Sequence, residues 1–133
     1  MPGYSGTPLA KKLGIKDKFR IAFFGLPAEV EMELQAELAK CEMATDRLDL
    51  AMIFVKKLSD LERQFSRFSG KLAPTGMLWV SWPKKISGVA TDLNDRLIRE
   101  FGLKAGLVDV KVCAVTEVWS GLKFVIRLKD RKI

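Results

Sequence analysis

Two lysine pairs, Lys56–Lys57 and Lys84–Lys85, each close an apolar run and each stand a few residues ahead of a helix start. Paired ammonium groups beside the unpaired N–H groups of a helix start are chemistry for holding an anion. The helix dipole and the free amides add to the lysine charge. The second pair lies in "WVSWPKKISGVATDLNDRL", Trp79 to Leu97. There Lys84, Lys85, Ser87 and Gly88 are placed to hold an anionic group against the backbone amides around Thr91, itself read as a helix cap. Trp82 closes the strand and either lines a cleft or covers the core edge. The expected anion set is therefore Lys56, Lys57, Trp82, Lys84, Lys85, Ser87, Gly88 and Thr91. The plainer reading is that lysines at strand ends are a solvated face.

Composition narrows the chemistry further. The chain has 133 residues, no histidine and a formal net charge of +7. Without histidine there is no Ser-His or Cys-His pair and no imidazole base or ligand. Catalysis would rest on Lys, Asp, Glu, Cys or Tyr4, so the chain reads more as a binding module than as an enzyme. No metal site and no cofactor is expected. The basic balance favours an anionic small molecule as partner. Nucleic acid is weakly supported, because aromatic and basic residues do not alternate along any strand. Two cysteines, Cys41 and Cys113, make no disulfide framework and are expected to be reduced, buried thiols in a cytoplasmic protein. No apolar run is long enough to span a membrane, and the sequence leaves a protein partner open.

The elements that must position the lysines follow from hydrophobic period. Residues 1–17 form an N-terminal arm with a short helix between Pro8 and Gly14, and residues 129–133 a basic tail, all within one domain spanning 1–133. Short unbroken apolar runs at Phe19–Phe24, Leu50–Val55 and Met77–Ser81 read as strands buried on both faces. Helical stripes lie between and after them: Val30, Leu34, Leu38 and Cys41; Leu61, Phe65, Phe68 and Leu72; Leu93, Leu97 and Phe101. "SDLE", Ser59 to Glu62, matches a capping box. Val108–Val115 and Leu122–Leu128 sit too close for a crossover helix and should pair antiparallel. Strands alternating with helices give a three-layer, Rossmann-like α/β sandwich of about five strands, mainly parallel, with the Phe19–Phe24 strand at an exposed edge. Parallel strands end on one edge, so both lysine pairs converge at the carboxyl edge, where such sheets bind ligands.

Two resemblances follow from these segments. "DLAMIFVKK", its following helix and "LAPTGMLWVSW", with the closing antiparallel pair, resemble the methyltransferase branch of Rossmann-like folds over roughly Leu50 to Leu128. That resemblance implies S-adenosylmethionine as cofactor. The chain departs from it in two places: the turn "FFGLPAEVE" lacks the G-x-G-x-G fingerprint, and there is no room for the two strands that normally follow, one ending in the ribose-binding acid. Over nearly the whole chain, "GYSGTPLAKKLGIK", "LWVSWPKKISGVATDLND" and "GLVDVKVCAVTEVWSGLKFVIR" resemble the bacterial domain of unknown function 3052 family, which implies a compact bacterial cytoplasmic domain and no activity. The expectation is a binding module for a phosphate-bearing or other anionic ligand at the carboxyl edge. The alternatives are a degenerate S-adenosylmethionine-dependent transferase and a protein-docking subunit that uses the exposed edge strand.

Overall fold

The computed structural model describes residues 7–131. Ten regular elements run α1 (Leu9–Leu13), β1 (Arg20–Phe24), α2 (Ala28–Leu38), β2 (Glu42–Met43), β3 (Leu48–Phe54), α3 (Leu58–Ser69), β4 (Leu72–Pro83), α4 (Asp95–Lys104), β5 (Leu107–Ala114) and β6 (Trp119–Ile126). The strands form one sheet in the order β2-β1-β3-β4-β6-β5. β1, β2, β3 and β4 are parallel to one another, and β6 runs antiparallel to both β4 and β5. This is a methyltransferase-like Rossmann fold, as the alternation of apolar runs and helical stripes requires.

Helices cover both faces, which is why the centres of β3 and β4, residues 50–54 and 77–80, are apolar without interruption. On one face Leu61, Phe65 and Phe68 of α3 and Ile98 of α4 pack on Ala51, Ile53, Leu78, Val80, Leu122 and Phe124. On the other, Leu9, Ala10 and Leu13 of α1 and Val30 and Leu34 of α2 pack on Ile21, Leu50, Met52, Phe54 and Trp79. Leu48 and Leu50 belong to opposite layers although two residues apart, because the β3–β4 register shifts between them.

Four expectations are corrected. The sheet has six strands, not about five, because Glu42–Met43 pairs with Arg20–Ile21 as a two-residue strand too short for any hydrophobic pattern. That strand and β5 are the sheet's outer strands, so β1 lies between neighbours rather than at the edge. The capping box does not form: α3 begins at Leu58, so Ser59 is already inside it and Lys57 stands at the cap with no side-chain bond. Cys41 and Cys113 are only half-buried. Burial nonetheless pushes the Cys113 thiol above its ordinary value, against the opposing pull of Lys12, Lys111 and Lys84.

One core position is imperfect. The Ser81 hydroxyl is fully buried near the end of β4 and, among the described residues, has no hydrogen-bond partner. A buried hydroxyl without a partner loses its hydration for nothing. Ser81→Ala is therefore expected to raise stability by about 1 kcal/mol, read as a higher urea midpoint with an unchanged denaturant slope.

Candidate functional site

The parallel registers put the ends of β3 and β4 side by side, with Phe54 opposite Ser81. Lys56–Lys57 and Lys84–Lys85 thus leave the sheet at one edge, as the alternation requires. After β4 the chain makes a short 3-10 turn over Lys85–Ser87 and runs to Asn94 before α4 begins. This segment is pinned back onto the end of β3. Thr91 Oγ1 donates to the Lys56 carbonyl at 2.6 Å, and the Asp92 amide donates to the same oxygen at 3.0 Å. Between the pinned segment and the β5–β6 pair lies a cleft of about 800 Å³. Trp82, Lys84, Lys85, Gly88 and Thr91 line it together with Asp92, Asn94, Asp95, Val112 and Ser120.

The structure therefore brings five of the eight expected residues to one cleft. Lys56, Lys57 and Ser87 are not in its lining. Lys56 and Lys57 are exposed at the start of α3. The Ser87 hydroxyl is turned to its own segment, donating to the Lys84 carbonyl at 2.6 Å and accepting from the Val89 amide at 3.2 Å. Trp82, 7% exposed, packs in the core and also lines the cleft. Thr91 is not the cap of α4. Its hydroxyl is spent on Lys56 and on accepting from the Leu93 amide, and Asn94 Oδ1 accepts from the Leu97 amide at 2.9 Å instead.

Several of the amides an anion seat would use are taken. The Leu58 amide at the start of α3 donates to the Asp92 carboxylate at 3.2 Å, so the protein's own acid already faces that helix end. The amides of Val89, Asp92, Leu93 and Leu97 all donate to protein oxygens. Asp92 and Asp95 line the same cleft as Lys84 and Lys85, so its wall carries both signs of charge. The carboxylates were visible in the sequence, but their facing the lysines depends on how the segment folds back. Val112 and Ser120 reach the cleft only through β-pairing, and no local signal marks them.

On the other side of the edge, the turn after β1 has a single glycine. Gly25 has φ 68°, and a Cβ there would lie 2.8 Å from the Phe54 carbonyl oxygen, so close packing of β1 on β3 already requires glycine. Leu26 and Pro27 follow, and Pro27 has no N–H to offer. Glu29 and Glu31 occupy the first turn of α2. After β2 the chain returns directly to β3 through four residues, 44–47, with no helix between. Asp46, the acid that follows β2, is held by Arg20 at the amino end of β1, at 3.0 Å. A glycine-fingerprint cradle with a ribose-binding acid does not fit these residues. No group of three or more acidic, cysteine or histidine residues placed to hold a metal occurs among the described residues. Nor is any helix among them long and apolar enough to cross a membrane.

Solved structures of the same fold are methyltransferases. A precorrin-6y C5,15-methyltransferase from Geobacter metallireducens aligns with 89% of this chain and 85% of its own, with a TM-score of 0.57 and 11% identity. A TehB-like SAM-dependent methyltransferase from Corynebacterium glutamicum aligns over 94% of this chain and 90% of its own, with a TM-score of 0.56 and 7% identity. LepI, solved in complex with SAM, aligns with 91% of this chain at a TM-score of 0.54 and 12% identity. This chain spans 47% of the length of LepI. No protein-family model matches the chain, and no curated protein matches it. The resemblance to the 3052 family thus gains no support, whereas the methyltransferase-like fold does. The anion-binding module is corrected accordingly. The chain shares its fold with S-adenosylmethionine-dependent methyltransferases, and several of the amides near Thr91 are already bonded within the protein.

Proposed function

We propose that the chain is a degenerate S-adenosylmethionine-dependent transferase, with its acceptor cleft kept and its cofactor side reduced. One contrast carries this reading. The cleft beside β4 is open and walled by Trp82, Lys84, Lys85, Gly88 and Thr91, while β2 is two residues long and rejoins β3 without a helix. Trp82 gives the acceptor a flat apolar wall, and the lysines and Asp95 orient its polar groups. Lys56, through its carbonyl, and Ser87, through its hydroxyl, hold the segment that forms the wall, and Lys57 stands at the start of α3 beside it. Calorimetric titration with S-adenosylmethionine tests the reduced side. Expected binding is weaker than a Kd of about 0.1 mM, a free energy of about 5.5 kcal/mol or less. Submicromolar binding would overturn the reading and restore a complete methyltransferase site.

A further inference from the structure

The early end of β2 leaves part of β1 without a neighbour. The Phe19 and Ile21 carbonyls accept from the Glu42 and Ala44 amides, so odd-numbered residues of β1 present their backbone toward β2. Alternation along the strand gives Phe23 the same direction. At that level β2 has ended, and among the described residues the Phe23 N–H and C=O have no backbone partner. Ala22 and Phe24 face β3, which continues beside them.

A second cleft, of about 490 Å³, lies against this open half-edge. Ala22, Met43 and Phe68 give it an apolar floor beside the Phe23 backbone, and Arg67 and Lys71 also line it. Among the described residues neither cation has an acidic partner. Arg67 lies over the Phe68 ring, 4.8 Å from its centroid, and bonds only Gln64. The one carboxylate in the lining, Asp46, is already paired with Arg20. Met43 is 62% exposed beside it. An unpaired strand edge, an apolar floor and unneutralised cations meet at one place. Together they suit an extended segment that adds backbone bonds, an apolar side chain and an acidic one.

We propose that the β1 half-edge at Phe23 docks an extended acidic segment of a partner protein as an added parallel or antiparallel strand. The segment's backbone pairs with Phe23, an apolar side chain sits over Ala22 and Phe68, and a carboxylate meets Arg67 and Lys71. This surface is separate from the acceptor cleft and does not depend on the transferase reading.

The test uses the whole chain and a short synthetic peptide alternating valine with glutamate, with a valine–lysine peptide as control. Amide exchange by NMR reads the backbone directly. In the free protein the Phe23 amide exchanges fast while Ala22 and Phe24 are protected. The acidic peptide is expected to protect Phe23, and the basic peptide to leave it unchanged. Arg67→Glu together with Lys71→Glu, both on the surface, should weaken binding at least about tenfold, or 1.4 kcal/mol, without moving the melting point. Protection of Phe23 in the free protein at low concentration would overturn the proposal. So would indifference to peptide charge. Protection that grows with protein concentration, matched by dimerisation in sedimentation, would overturn it in favour of a second copy as occupant.

Discussion

Replacing Gly102 with alanine is expected to destabilise the protein by about 3 kcal/mol, lowering the melting temperature by roughly 10 °C. The sign is the informative part. In an ordinary helix interior the same change stabilises by about 1 kcal/mol, because glycine is the poorer helix former. Here Gly102 is buried in α4 against β6, and a Cβ would come within 2.5 Å of Phe124 Cζ and 2.7 Å of its Cδ1. The ring cannot swing aside. Phe124 is fully buried and set edge-on to Phe65, with centroids 5.3 Å apart. α4 would have to lift, carrying with it Asn94 and Asp95, which wall the cleft beside β4. Urea unfolding of Gly102→Ala, Phe124→Leu and the double variant gives the check. The double variant should be more stable than the sum of the single losses predicts, by about 1 kcal/mol, since each change relieves the other. A Gly102→Ala protein as stable as the parent would show that α4 is not seated on Phe124.

The same pair shows what the sequence made legible. Periodicity located α4 from Leu97 and Phe101, because a helix repeats its inward face locally, although Leu93, read into the same stripe, lies before the helix. It could not reveal that Gly102 is a contact, since that depends on where Phe124 arrives, 22 positions later. β3 and β4 were evident as apolar runs because burial on both faces keeps their centres, residues 50–54 and 77–80, free of polar side chains. β2 was invisible for the opposite reason: two exposed residues, Glu42 and Met43, carry no pattern, and only pairing with Arg20 and Ile21 makes them a strand. The cleft divides along the same line. Trp82, Lys84, Lys85, Gly88 and Thr91 sit in one contiguous stretch after a strand end, and topology alone takes them to the carboxyl edge. The fold-back that shapes their cleft was not legible, because the bonds that hold it are non-local. Asp92 turns to Leu58 and Thr91 to Lys56, contacts across 34 and 35 positions that no local spacing announces.

Trp79→Ala is expected to be the most damaging single substitution, costing about 4 kcal/mol. A typical domain of this kind holds only about 5–15 kcal/mol. Trp79 is completely buried in β4, between β3 and β6, among Leu50, Met52 and Leu13. Its indole N–H donates to the Leu13 carbonyl at 2.9 Å, joining the end of α1 to the centre of the sheet. Gly121 on β6 makes room for the ring, with a Cβ there lying 3.2 Å from Trp79 Cε3. Truncation to alanine would leave a large void bounded by backbone that cannot close on it. Trp79→Phe separates the two contributions. It keeps most of the apolar contact but strands the buried Leu13 carbonyl, and should cost about 1–2 kcal/mol. α1 is only five residues long and cannot persist as an isolated helix. The phenylalanine variant should therefore lose amide protection in α1 well before the sheet does. Equal protection of α1 in Trp79→Phe and the parent would show that apolar contact with Leu9, Ala10 and Leu13 alone docks the helix, and that the indole bond contributes nothing to it.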